Sequence, residues 1–273
     1  MLSSLVVLTD FSAVTNRALA YAAALALPLR AQLVLLHVLH DGLLAPSAYN
    51  SRHTRQGERK TLDALQILAA AQPVPAEVDV SEDFLPDAVQ EAVRRHHPLL
   101  VVLGRPGTAY EPSEIVTSTA MDLLHHAACP LLVVPTVGLD ACAPPHRVLL
   151  AVDGESFRLY QQQQVLSQLL AAGGTLDVVH VRPDNTAQPG AAAVLQTIRA
   201  NKLAEHLEES CLHEVCLPSV VGGVLQEADR QKADLLVVVA RRHSLLGGLF
   251  HRSVTAQLVQ ECPIPVLVLP AED

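Results

Sequence analysis

A chain of 273 residues with 28 acidic and 19 basic side chains has a formal charge of −9, so it lacks the basic footprint by which a general nucleic-acid binder releases counterions. Half of its residues are hydrophobic but only 3% are aromatic and none is Trp, which excludes a disordered chain and requires cores of Leu, Val and Ala. At ~100–200 residues per domain, that length suits about two domains.

The first strand is expected near 5–9. The residues before it have neither the basic start nor the cleavage pattern of a signal peptide. The strand ends at Asp10-Phe11-Ser12. A carboxylate there can accept hydrogen bonds from a ligand hydroxyl or amine. Alternatively, Asp10 or Ser12 caps the helix expected over 13–27, and the residues alone leave both roles open. A strand near 32–38 closes on His37-Val38. The apolar stretch from Leu19 to Leu39 is broken by Pro28, Arg30 and Gln32, short of the ~20 clean residues of a membrane span, so a soluble, cytoplasmic protein without membrane partners is expected.

Helix 55–71, strand 76–80, helix 85–96 and strand 99–103 lead to Gly104-Arg105-Pro106-Gly107. Ten residues after Gly107, Thr117-Ser118 lie within the helix expected over 114–127. Glycines after a strand let backbone N–H groups approach a phosphate, and a hydroxyl near a helix start adds a donor. A tight turn would use the same glycines. Strand 131–134 follows, and then a stretch from Thr136 to His146 whose Gly138, Pro144 and Pro145 give it linker composition.

Beyond that linker the pattern repeats. Asp10 and Asp153 stand 143 residues apart, as do His37-Val38 and His180-Val181. Gln90-Glu91-Ala92 and Gln226-Glu227-Ala228 are 136 apart, so the second copy is about seven residues shorter in its middle. Its strands are expected near 147–152, 175–181, 213–217, 234–239 and 265–268. Continuous Val/Leu runs alternating with helical periodicity signify parallel strands buried on both faces. The chain therefore reads as two tandem α/β domains, 1–137 and 145–273, each a doubly wound, Rossmann-like layer with a five-stranded parallel sheet flanked by helices. In such a layer, ligands sit beyond the carboxyl ends of the strands.

Both halves resemble the universal stress protein family in its tandem form, whose fold is of the adenine nucleotide alpha hydrolase-like kind. The resemblance rests on the Asp after strand one, the His-Val pair closing strand two, the pattern G-x2-G-x9-G-[ST] after strand four, and a final strand such as Cys129-Pro130-Leu-Leu-Val-Val. It implies that Asp10 and the Val38 backbone contact adenine or ribose, with Phe11, Ser12 and His37 around them. It implies that Gly104, Arg105, Gly107 and Ser118 surround the phosphates, with Thr117 standing where the third glycine belongs. ATP is the implied cofactor. Because Glu111 and Glu114 fall where a triphosphate would lie, Mg2+ would be needed to offset them.

The second copy keeps Asp153 and His180-Val181 but has Ala240-Arg241-Arg242-His243 in place of the first two glycines, and Arg252-Ser253 in place of Gly-Ser. ATP binding does not carry over to it. Arg241, Arg242, His243, His251 and Arg252 with Ser253 could hold an anion without glycines, or form a solvated basic loop. By analogy with the family's dimers, the copies are expected to pack as a pseudo-twofold intramolecular dimer, strand 131–134 pairing with 265–268 to cover two sheet edges and the acidic loop of one copy facing the basic loop of the other.

Thirteen histidines form no metal-binding spacing, since His96-His97 and His125-His126 are adjacent pairs that cannot share a helix face. Five cysteines without a CxxC pair fit packing roles in a reducing compartment. No Walker loop, dinucleotide fingerprint or nucleophile elbow is present. Three functions follow: a regulatory, non-catalytic stress-response protein binding adenine nucleotide in domain 1; a scaffold or partner-binding module, with both motifs degenerate and a homodimer or unidentified protein as partner; and a slow ATP hydrolase, for which no water-activating residue is identified.

Overall fold

Leu5, Val6, Val7 and Leu8 are all fully buried, as expected of a strand covered on both faces. The computed structural model describes residues 3–39, 55–106, 113–127, 129–136, 143–159, 163–182, 191–203, 207–241 and 253–271; for 55–57, 113–117, 127 and 163 it describes the backbone alone. The chain divides into two units, Met1–Cys129 with Val134–Pro144, and Pro130–Val133 with Pro145–Asp273.

In chain order the first copy holds β1 Ser3–Leu8, α1 Ala13–Leu29, β2 Ala31–Val38, α2 Arg55–Ala70, β3 Ala76–Ser81, α3 Leu85–His96, β4 Leu100–Arg105, α4 Ser113–Ala127 and β5 Leu131–Pro135. The strand order is β3-β2-β1-β4-β5, and β1 pairs in parallel with β2 on one side and β4 on the other. Two bounds differ from expectation. Helix α1 runs through Pro28 to Leu29, since a proline in the last turn forfeits one hydrogen bond before Arg30 ends the helix in the left-handed conformation (φ 49°). Strand β4 extends through Gly104 to Arg105, whose carbonyl accepts a hydrogen bond from the Thr136 N–H at 3.0 Å.

The second copy holds β6 Arg147–Val152, α5 Gln163–Ala171, β7 Thr175–Arg182, α6 Ala191–Ala200, a 3-10 turn at Glu209–Cys211, β8 Leu212–Cys216, α7 Val220–Arg230, β9 Leu235–Arg241, α8 Val254–Glu261 and β10 Val266–Ala271. Its order, β10-β9-β6-β7-β8, repeats the first copy's arrangement, with β6 between β7 and β9. Within this unit Leu131–Val133 pair antiparallel with Val266–Val268, the pairing expected of 131–134 with 265–268. The acidic and basic loops expected to face each other lie mostly outside the described residues. No described helix is long and apolar enough to cross a membrane.

Cys129 and Cys262 are buried, and burial pushes the Cys129 thiol up to about 12 despite a backbone hydrogen bond. Cys216 departs from the expected packing role: it is exposed at the end of β8, the outermost strand of its copy's order.

Glu227 of α7 is buried, with 4% of its side chain accessible. Burial acts to raise its carboxyl, but hydrogen bonds donated by Arg230 Nε (2.8 Å) and Nη2 (2.7 Å) and by Gln231 Nε2 (2.7 Å) outweigh it and hold the group below its ordinary value of 4.5. A depressed carboxylate adds stability above that ordinary value and loses it as pH falls through the lower folded one. Chemical denaturation from pH 7 to pH 3 is therefore expected to show a steeper acid loss for the wild type than for Glu227→Gln, with the two curves converging at the acid end.

Candidate functional site

In each copy the strand order reverses beside the first strand, and such a reversal opens a crevice at the carboxyl ends. In the first copy β1 runs out into Asp10-Phe11-Ser12. Asp10 Oδ1 accepts from the Ser12 N–H (2.9 Å) and the Thr15 hydroxyl (2.8 Å). Ser12 caps α1, its Oγ accepting from the Thr15 N–H at 3.3 Å. Among the described residues no group bonds the second carboxylate oxygen, Oδ2, so capping does not exhaust Asp10.

The tight turn forces residue 11 into the left-handed region, where Phe11 has φ 66°. A bulky residue there is a strained choice, costing about 1–2 kcal/mol. Phe11 is 39% exposed, and its ring centroid lies 5.4 Å from that of His37. His37 Nδ1 lies 2.7 Å from the Thr9 carbonyl oxygen, to which it donates, tying the ends of β1 and β2 together. Val38, beside it, is buried.

Gly104 lies in β4 against the first turn of α1. A Cβ at that position would stand 2.8 Å from the Val14 carbonyl oxygen and 2.9 Å from Val14 Cγ1, so helix packing alone requires glycine. Arg105 is buried, at 6% exposure. Gly107 lies outside the described residues, and of Thr117 only the helical backbone is described. Ser118 is exposed on α4, which begins at Ser113, so it sits past the helix's first turn rather than at its start.

The second copy builds the same corner and uses it differently. His180 Nδ1 reaches the Val152 carbonyl at 3.1 Å, and Asp153 Oδ1 accepts from the Glu155 N–H at 3.1 Å. The left-handed position after the aspartate is now Gly154, at φ 85°. Arg241 closes on the corner: its Nη1 and Nη2 donate to both oxygens of Asp153 at 2.7 and 2.8 Å, and Nη1 donates to Glu155 Oε2 at 2.7 Å. Ser253 caps α8, accepting from the Ala256 N–H at 3.0 Å. Arg242, His243 and Arg252, expected beside them as anion ligands, lie outside the described residues, as does His251.

A cavity of about 370 Å3 lies at these strand ends, lined by Asp153, Arg241, Ser253 and Thr255 and otherwise mainly by Val, Leu and Phe side chains. One wall is Phe157, in a segment that is not helical where the first copy has the start of α1. Asn201, itself buried, holds that segment: its Oδ1 accepts from the Leu159 N–H (2.7 Å), and its Nδ2 donates to the carbonyls of Phe157 (2.8 Å) and Thr197 (2.9 Å). Among the described residues no group of three or more His, Cys, Asp or Glu is placed to hold a metal ion.

The profile of the universal stress protein family matches residues 1–135 and again 145–270. The chain belongs to the universal stress protein family. A universal stress protein from Archaeoglobus fulgidus DSM 4304 aligns over 99% of this chain and 97% of its own, with a TM-score of 0.67 and 15% identity. A functionally unknown protein from Pseudomonas aeruginosa PAO1 aligns over 99% and 93%, with a TM-score of 0.62 and 16% identity. The cytoplasmic domain of a prokaryotic cation chloride cotransporter aligns over 98% and 95%, with a TM-score of 0.54 and 9% identity, so this fold also occurs in a transporter's cytoplasmic part. No curated protein sequence matches.

Within this tandem universal stress protein, sequence reasoning missed the clasp of Arg241 on Asp153 and the role of Asn201. The clasp left one faint signal, an arginine at 241 that stands 136 residues after Arg105 while the preceding glycine has become Ala240. Asn201, a lone residue after a helix, left none.

Proposed function

We propose that this tandem universal stress protein serves a regulatory, non-catalytic stress-response role in the cytoplasm and binds adenine nucleotide in its first copy. The observation that carries the reading is the Asp10-Phe11 corner. A carboxylate oxygen without a described partner can accept from a ribose hydroxyl or an amine, and beside it a strained backbone presents an exposed aromatic face. Strain of this kind persists where something is gained from it, and a planar base stacks on such a face. In the second copy the equivalent carboxylate is already taken by Arg241, which supports a single nucleotide site per chain. Mg2+ would offset Glu111 and Glu114 alongside the phosphates.

A second reading, a partner-binding module without nucleotide, is favoured by Gly104, whose glycine is accounted for by Val14 and needs no phosphate. Titration calorimetry with MgATP separates the two. The wild type is expected to bind, Phe11→Ala to bind about ten-fold more weakly through loss of one stacking contact, and Gly107→Arg not to bind. Phe11→Gly is expected to lose affinity equally while keeping its folding stability within about 1 kcal/mol of wild type, because glycine relieves the left-handed strain. The absence of heat at millimolar ATP, where ~4 kcal/mol of affinity suffices, would leave the partner-binding reading standing.

A further inference from the structure

Among the described residues, the lining of the second copy's cavity is mainly apolar, unlike that of a phosphate site. Val181, Val224, Val238 and Leu258 give it aliphatic walls, Phe157 adds an aromatic face, and Val254, 40% exposed, is the aliphatic lining residue most open to solvent. Its two charged lining side chains pair with each other: Arg241 Nη1 and Nη2 hold both oxygens of Asp153, and Nη1 also reaches Glu155, outside the lining. The Ser253 hydroxyl accepts from the backbone of α8. Water in such a space finds few hydrogen-bond partners, and its replacement by apolar surface is favourable.

Several substitutions relative to the first copy fit together around this space. Gly104 lets α1 begin directly against β4, whereas the equivalent Ala240 carries the Cβ that such a helix would not tolerate. The segment after Asp153 is correspondingly non-helical through residue 159, and buried Asn201 fixes it with hydrogen bonds to Leu159 and Phe157, so the aromatic wall is held in place rather than frayed. At about 370 Å3 the cavity falls within the size range of small-molecule sites.

We propose that the second copy's strand-end cavity binds a compact, uncharged, mainly apolar ring compound, at a site separate from the nucleotide site proposed for the first copy. The probe is N-phenyl-1-naphthylamine, a neutral dye that brightens in apolar surroundings, set against its sulfonated analogue, which has the same rings and one negative charge. Titrated into the full chain, the neutral dye is expected to bind about ten-fold more tightly than the sulfonate. Val254→Trp, which fills the solvent-facing wall without touching the buried core, is expected to weaken it by about ten-fold or more, and saturating MgATP to leave it bound. Phe157→Ala serves as a second variant should the first fail to fold, and is expected to weaken the dye about five-fold through loss of the aromatic face.

Tighter binding of the sulfonate would make the cavity an anion site and overturn the proposal. Unchanged affinity in the folded variants, displacement by MgATP, or no fluorescence gain with the neutral dye would overturn it equally. A failure of ATP to give heat in calorimetry bears on the first copy alone and leaves this result standing.

Discussion

Gly104→Val is expected to destabilise the first copy by about 3 kcal/mol or more, and Gly104→Ala by about 1–3 kcal/mol, while Ala240→Gly in the second copy costs no more than about 1 kcal/mol. The asymmetry follows from what each position faces. At 104 the nearest obstacles to a Cβ include a backbone carbonyl, Val14 O at 2.8 Å, which moves only if α1 moves away from β4. At 240 a methyl group is already present and fully buried. Denaturant unfolding of the three variants measures the difference. A Gly104→Ala protein of wild-type stability that no longer binds ATP would show that the glycine serves the phosphates and not the helix.

Asn201→Ala is expected to cost about 3 kcal/mol, seen in the same unfolding experiment. Removing the side chain leaves the Leu159 N–H and the Phe157 carbonyl in a buried setting without their partner, and each unsatisfied group costs about 1–3 kcal/mol. Asn201→Asp keeps the acceptor for Leu159 but loses the donor to Phe157, and buries a charge, so it is expected to be no better than the alanine variant. Within about 0.5 kcal/mol of wild type, the alanine variant would mean that the segment after Asp153 holds its path without Asn201.

The fold was legible because parallel strands buried on both faces leave uninterrupted Val/Leu runs, and because the second copy repeats the landmarks of the first at nearly fixed spacing. Helix bounds were less so: Pro28 suggests a break, yet α1 continues to Leu29 because the last turn loses only one hydrogen bond. At the site, Asp10, Ser12 and His37 were legible as residue types but open as to role. Their assignments needed the turn geometry, which makes Ser12 the cap and His37 a tie between strand ends. The reason for Gly104 and the clasp of Arg241 on Asp153 were not legible, since both join residues about 90 apart that meet only once β1 lies beside β4 and β6 beside β9.

Native mass spectrometry of the full chain titrated with MgATP counts the nucleotide sites, of which one per chain, in the first copy, is proposed. One bound nucleotide is predicted, persisting in Arg241→Ala and absent in Gly107→Arg. Two bound nucleotides, or one that survives Gly107→Arg, would contradict a single first-copy site.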